Sequence, residues 1–467
     1  MKPGILWQIS DAISVMEAQS ACLSEGAIRG ISIDSRTVQE DDLFFAILGD
    51  QLDGHNYVEN ALAQGALAAV VSRPVEGVGP EKLLQVEDTL EALNKLGMAA
   101  RARAEAKVIA ITGSVGKTGT KEALRLALAK SGKVHAAVAS FNNHWGVPLT
   151  LARWSRESDF AIFEIGMNHA NEITPLVKMV RPHIAIITNV APVHLMNFSS
   201  VDEIAKAKAE IFDGLEPDGT AVLNRDNQYF DYLAEAAHRA GAAKIISVGA
   251  HKDAMVRLEN CDLYGDKSCV SVDLMGQSIT YDIGAPGKHL VFNSLSVLAA
   301  VKAAGGNVNL AAAALKGWVA PAGRGAQHCL KVGENSAVLI DETFNANPMS
   351  MRAALATLAS VRPHGNGRRI AVIGDMLELG EISKEAHRDL LQPLLDAKVD
   401  QVFAAGAHMR ALWDDIPEEL KGAYAPDAIS LEKKLVAAVQ SGDVVMIKGS
   451  KGSKLGPLVD ALLTCFR

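Results

Sequence analysis

Ile111-Thr112-Gly113-Ser114-Val115-Gly116-Lys117-Thr118 decides how the rest of the chain is read. An apolar run, Lys107 to Thr112, precedes the glycines and reads as a strand. Lys117 to Lys130 follows as a helix, stopped by Ser131-Gly132. Strand, glycine loop and helix in that order form the setting of a phosphate loop. Glycines let backbone N–H groups turn toward phosphate oxygens, and the helix N-terminus adds its positive end. Gly113, Ser114, Val115, Gly116, Lys117 and Thr118 are the candidate nucleotide-binding residues, with Lys117 on the β/γ-phosphates and the Thr118 hydroxyl on Mg²⁺. Ile111 fills the slot of the general motif's first glycine, so the match is to the shorter form GxxGKT. The plainer reading is a glycine turn without a ligand, but a lysine between Gly116 and Thr118 has no packing purpose there.

Outward from this loop the chain alternates strand and helix. Phe160 to Ile165, Ile184 to Val190, Thr220 to Leu223 and Lys244 to Val248 read as further strands of a mostly parallel sheet covered on both faces. Residues 254–283 alternate polar and apolar and read as a short meander, and helices from Asn293 and Asn309 close the unit. Before it, the runs Gly30 to Arg36 and Asp42 to Ile47 read as strands, Ala61 to Ala69 as a helix and Ala69 to Val71 as a strand. A Pro/Gly stretch, Arg73 to Pro80, leads to a first linker near residue 85. Pro321-Ala322-Gly323-Arg324-Gly325 is a second linker. Beyond it Ala337 to Asp341, Ile370 to Gly374, Gln401 to Ala404 and Val444 to Ile447 are strands of another unit. The expectation is an α/β protein of three domains: a small α/β domain over 1–85, a central P-loop parallel-sheet domain over 86–320 and a C-terminal Rossmann-like domain over 321–467.

Composition agrees. The 467 residues suit about three domains, and 49% hydrophobic with 21% charged residues is ordinary globular usage. With 46 basic and 54 acidic residues the net charge is −8, which argues against a general nucleic-acid binder. No apolar run approaches the ~18–20 residues of a membrane helix, and Met1 to Ser10 has no signal-peptide pattern. Cys22, Cys261, Cys269, Cys329 and Cys465 are scattered, which fits a reducing cytoplasm better than a disulfide frame or a zinc site.

Three side chains stand where a metal-assisted site would place them. Glu164 ends an apolar strand and faces the ligand crevice of a parallel sheet, within reach of a Mg²⁺ held by Thr118. His194 follows the next strand, with structural and ligand roles evenly balanced. Lys208 lies on a helix, and from spacing alone it is a solvated surface lysine.

Taken together, GSVGKT, Phe141-Asn142-Asn143, EIGMN from Glu164 to Asn168, TNVAPVHL, KAEIF, PGKH followed by Asn293, and DETFNANPMSM from Asp341 to Met351 resemble the Mur ligases in content and order. The resemblance spans essentially the whole chain. Asn345-Ala346-Asn347-Pro348 and the Asn142-Asn143 doublet are similar to the branch that adds D-alanyl-D-alanine to UDP-N-acetylmuramoyl-tripeptide. It implies an ATP-dependent amide ligase with two Mg²⁺ ions, working through an acyl phosphate in peptidoglycan precursor synthesis, as a cytoplasmic monomer with neither nucleic-acid nor membrane partners. By the same resemblance Lys117, Lys208, His194 and Arg324 are catalytic. Thr118, Glu164, His194 and Lys208 serve the metals, Lys208 as a carbamate. His289 and Asn293 lie on the adenine side, although Leu290 stands where the family has Asn. Asp341 and Glu342 match the ribose pair, Glu342 being one methylene longer than the family's Asp. Ser32, Asp34, Ser35, Arg36, Phe44, Gly49, Asp53, Gly54 and His55 match the uridine-diphosphate pocket. Asn142, Asn143 and Asn168 match the muramoyl-peptide side, and Asn345, Asn347 and Lys448 the dipeptide side.

Three other readings stand beside this one. The neighbouring ligase that adds diaminopimelate or lysine carries an Asp-Asn-Pro-Arg motif where this chain has Ala405-Gly406-Ala407-His408-Met409-Arg410. A nucleotide-gated regulatory protein would use the same loop as a switch. A folate polyglutamate ligase would have no use for the Asp34-Ser35-Arg36 and Asp53-Gly54-His55 segments.

Overall fold

A computed structural model describes residues 4–49, 51–193 and 195–466. Lys107–Thr112 is the strand from which the fold is built. Val108 and Ala110 point into one apolar layer with Leu93, Trp154 and Phe163. Ile109 and Ile111 point into the opposite layer with Leu124, Leu295 and Leu298. Apolar residues on both faces of one strand require cover on both sides, and helices supply it.

That strand lies within a nine-stranded sheet. Phe160–Glu164 and Val134–Ala136 lie on one side of it, all parallel. On the other side follow Ile184–Ile187, Thr220–Asn224, Lys244–Gly249 and Val256–Leu263, also parallel. Val256–Leu263, Ser268–Leu274 and Gln277–Ile283 then run antiparallel, the expected meander. The N-terminal unit has a five-stranded sheet in which Leu83–Gln85, Ala68–Val71, Asp42–Phe45 and Gly30–Ser32 are parallel. Its apolar layer is continuous with the central one: Trp7, Leu43, Phe45 and Leu84 share a cluster with Leu93, Trp154 and Phe163. The C-terminal unit has six strands, with an antiparallel hairpin of Ala326–Val332 and Asn335–Glu342 at one edge.

The strands that went unread in the sequence include Val134–Ala136, Ala326–Val332 and Lys421–Ala425. Each of these three lies at a sheet edge, where only part of the strand is buried and the apolar signal is diluted. Two helices are shifted. Lys288–Ala303 begins five residues before Asn293, directly after Gly287. Val58–Ala63 ends ahead of Gly65, whose φ of +110° stops it.

The edge strand Val134–Ala136 carries a half-buried histidine. His135 stacks on Trp154 at 5.9 Å, and its Nε2 contacts the Thr150 carbonyl at 2.8 Å. Burial pushes its pKa down to about 4 from an ordinary 6.5. The unfolded chain therefore binds the extra proton between those values, and stability falls as pH drops through that window. From pH 8 to pH 5 this one group costs about 2 kcal/mol. Urea unfolding at the two pH values should give a smaller loss for His135→Gln than for the wild type. An equal loss in both would remove His135 as the source.

Candidate functional site

The phosphate loop is shaped by close approach. A Cβ on Gly113 would collide with the Thr188 hydroxyl, and Gly116, at φ +87°, would press one against Asn293. Helix Lys117–Leu128 has no side-chain cap, so the N–H groups of its first turn stay available to an anion. Two loop N–H groups are already taken, contrary to a cradle that uses the whole motif. Ser114 N–H donates to the Asn189 carbonyl at 3.0 Å, and Val115 N–H to Asn189 Oδ1 at 3.0 Å. The Thr188 hydroxyl donates to the Val115 carbonyl at 2.6 Å. Thr188 and Asn189 thus clamp the loop from the neighbouring strand end, a role the sequence reading missed although it quoted both residues. Lys117 is tied to its own loop, with Nζ donating to the Gly113 carbonyl at 2.6 Å. Burial lowers its pKa, partly offset by the Glu164 charge.

Glu164 stands across from the helix start and is 1% exposed. Its Oε1 accepts from the Thr118 hydroxyl at 3.1 Å and from Asn142 Nδ2 at 2.7 Å. Its Oε2 is buried with no hydrogen-bond partner. An orphaned carboxylate oxygen beside a threonine hydroxyl is a hard-oxygen pair of the kind Mg²⁺ takes. Lys208, on helix Val201–Ala209, is 2% exposed and not the surface residue its spacing alone suggests. Burial drives its pKa well down, and the nearby Lys117 charge adds to the effect. Two residues on, Glu210 accepts from the N–H groups of Asn171, Ile173 and Thr174 at 2.6–3.1 Å, fixing the Lys208 segment to the cavity wall. His194 lies outside the described residues. Among the described residues no group of three or more His, Cys, Asp or Glu side chains forms a ready metal cluster.

The third domain closes the other side. Arg324 stacks on Phe344 at 3.7 Å and reaches the Ser140 hydroxyl of the central domain at 3.5 Å. Burial lowers its pKa, while Glu164 and Glu342 oppose that shift. Glu342 pairs with Lys448 at 3.2 Å, and Lys448 also donates to the Asn345 carbonyl at 2.9 Å. These groups, with His289, Leu290, Asn293, Asn142, Asn143, Asn168 and Asn347, line one cavity of about 880 Å³ together with the phosphate loop from Ser114 to Gly119.

Several expected site residues also have structural duties. Asp341 is turned away from the cavity: its Oδ2 accepts from Gly323 N–H at 2.7 Å and its Oδ1 from Thr343, so it shapes the linker that carries Arg324. Asn347 caps helix Pro348–Ser360 in a capping box with Ser350. Asn143 Oδ1 caps the start of helix Gly146–Ala152. In the first domain none of the expected uridine-diphosphate residues lines this cavity. Phe44 is 1% exposed and packs with Val58, Ala61 and Ala69. His55 is spent on the scaffold, with Nδ1 on Asp53 and Nε2 accepting from Ser72 N–H. The Ser32 hydroxyl bonds the Asp34 backbone, Asp34 pairs with Arg36, and the Ser35 hydroxyl accepts from Asn60. Asp53 also holds Arg73, while Gly54 and Gly49 permit close approach to Ile47 and Trp145.

Family profiles divide the chain in the same order: "Mur ligase family, catalytic domain" over residues 27–113, "Mur ligase middle domain" over 111–301 and "Mur ligase, glutamate ligase domain" over 329–451. The UDP-N-acetylmuramoyl-tripeptide–D-alanyl-D-alanine ligase of Rickettsia prowazekii is 34% identical over 92% of this chain and 94% of its own. That of Escherichia coli is 31% identical over 96% and 98%. A crystal structure of MurF from Acinetobacter baumannii matches with a TM-score of 0.85 at 28% identity, covering 99% of this chain and 100% of that one. MurF ligase from Thermotoga maritima, solved in complex with ADP, matches in fold with a TM-score of 0.77 at 24% identity over 93% and 97%.

Gly113→Ala should leave the far-ultraviolet circular dichroism unchanged. It should weaken Mg·ADP binding by at least about tenfold, because the new methyl displaces the loop from Thr188. Calorimetric titration checks this, and wild-type affinity in the variant would refute the role of that contact.

Proposed function

The chain belongs to the Mur ligase family, and from that premise we propose that it joins D-alanyl-D-alanine to UDP-N-acetylmuramoyl-tripeptide with ATP, forming a peptidoglycan precursor, ADP and phosphate. The observation that carries the reading is one cavity in which a phosphate loop, Glu164 and an arginine from the third domain face each other.

A carboxylate resists nucleophiles, so the tripeptide carboxylate first attacks the γ-phosphorus of ATP. The carboxylate–phosphorus bond forms, the bond to ADP breaks, and the acyl phosphate carries a leaving group. The dipeptide amine then attacks the acyl carbon, and the tetrahedral intermediate expels phosphate while the amine loses a proton. Negative charge gathers on the transferring phosphoryl oxygens, where Lys117 and Arg324 converge with the N–H groups of helix Lys117–Leu128. Keeping water from the acyl phosphate during turnover would protect it from hydrolysis.

Thr118 and Glu164 would hold one Mg²⁺, and His194 with a carbamylated Lys208 would serve a second. When bound, Mg²⁺ supplies positive charge to the phosphoryl oxygens. The depressed pKa of Lys208 favours carbamylation, because the amine must be neutral to attack CO₂. A C–N bond forms, the neutral amine gives up one proton, and an anion then stands near Lys117. Arg324 and Phe344 would act from the third domain, Lys448 and Asn345 on the dipeptide side, and the first-domain loops at 32–36 and 49–54 on the uridine diphosphate. On this reading the enzyme works as a cytoplasmic monomer; separately, no described helix is long and apolar enough to cross a membrane.

ADP release should require both the UDP-linked tripeptide and D-alanyl-D-alanine, and ATP hydrolysis indifferent to either would overturn the ligase reading. Lys208→Ala should lose at least about 100-fold in kcat, with partial rescue by a short-chain carboxylate. Full activity without rescue would remove the carbamate. Arg324→Ala should lower kcat about 10- to 100-fold with little change in the KM for ATP. A change confined to KM would place that arginine in ground-state binding.

A further inference from the structure

Residues 141–146 run between two places that the proposed reaction keeps apart. At one end Asn142 Nδ2 donates to Glu164 Oε1 at 2.7 Å. At the other, the Trp145 indole lies against the first domain, where a Cβ on Gly49 would stand 3.1 Å from its Cη2. The segment between them is stiff. Asn143 Oδ1 accepts from Gly146 N–H at 3.0 Å and Trp145 N–H at 3.3 Å, and Gly146 lies so close to Phe141 that no side chain fits. The His144 ring packs edge-on against the indole at 5.2 Å, and His144 lines the cavity.

On the first-domain side, the residues around Gly49 are held by contacts of their own. Gly49 N–H donates to the Leu52 carbonyl at 2.9 Å, Gly54 N–H to the Ile47 carbonyl at 2.9 Å, and Leu48 bridges Asp53. Leu48 and Leu52 are each 67% exposed beside Gly49. Covering them removes apolar surface from water, a gain open to a ligand seated between the two domains. A segment braced as 141–146 is carries a displacement from the Gly49 contact toward Glu164, because it cannot absorb it locally.

We propose that Trp145 is a positioning residue for the uridine-diphosphate end of the substrate. Its indole fixes the Gly49 loop, and residues 142–145 relay that placement to Glu164. This rests on the reading that the first-domain loops take the uridine diphosphate.

The test uses the full chain with ATP, Mg²⁺, UDP-tripeptide and D-alanyl-D-alanine. Trp145→Ala should raise the KM for UDP-tripeptide by about tenfold or more, with the KM for ATP within about twofold. Trp145→Phe, which keeps an aromatic ring, should recover most of the loss. Gly49→Ala, which presses on the same ring from the other side, should act in the same direction as Trp145→Ala. Titration with UDP alone should shift the tryptophan emission of the wild type but not of Trp145→Phe. Unchanged KM values in Trp145→Ala, or an equal emission shift in Trp145→Phe, would overturn the role of Trp145 while leaving the ligase intact. A wild type that neither responds to UDP nor forms product would overturn the ligase reading, and the inference with it.

Discussion

Two cations, Lys117 and Arg324, are taken out of water around one carboxylate with the Lys208 amine nearby, and much of the site follows from that. Lys117, Lys208 and Arg324 all have pKa values lowered by burial, and the Glu164 charge offsets the shift for Lys117 and Arg324. Buried positive charges crowded together are costly, and an arriving polyanion repays the cost. The arrangement is thus poised for phosphate, although the whole chain carries a net charge of −8. A global charge says little about a pocket of this depth.

The same economy explains how the loop is held. A phosphate-binding turn must keep N–H groups unpaired, yet unpaired buried N–H groups are expensive. The structure divides the labour. Asn189 satisfies Ser114 and Val115, which hold the loop in place. The uncapped first turn of helix Lys117–Leu128 keeps its donors for the ligand. The neighbouring strand end therefore belongs to the nucleotide site as much as the glycines do.

What could be read from sequence was what is local or repeated. The phosphate loop lies within eight residues, and its strand and helix bear strong apolar patterns, so the loop and the parallel sheet were legible. The meander was legible by its alternation. Long-range pairings were not. Nothing near Thr188 announces that its hydroxyl sits against Gly113, because the contact joins residues 75 apart. Phe44 and His55 are matched to a ligand pocket by their motifs, yet the core takes the first and the Asp53–Ser72 hydrogen bonds take the second. Burial of Lys208 was invisible because the helix around it carries Asp202, Glu203 and Lys206 on its exposed side.

The adjacent pair Asp341-Glu342 shows how the backbone decides between chemically similar residues. They end the same strand, so their side chains point to opposite faces. One face meets the linker, and there Asp341 accepts from Gly323 N–H and from Thr343, setting the bend from which Arg324 departs. The other face meets the cavity, and there Glu342 neutralises the buried Lys448. Exchanging the two duties would need a one-residue slip of the strand, which the hairpin with Ala326–Val332 and the parallel pairing with Val444–Lys448 both forbid. The register that builds the third domain's sheet is therefore also what aims Arg324 at the phosphate loop. The arginine's position is a property of strand pairing more than of the linker sequence that contains it.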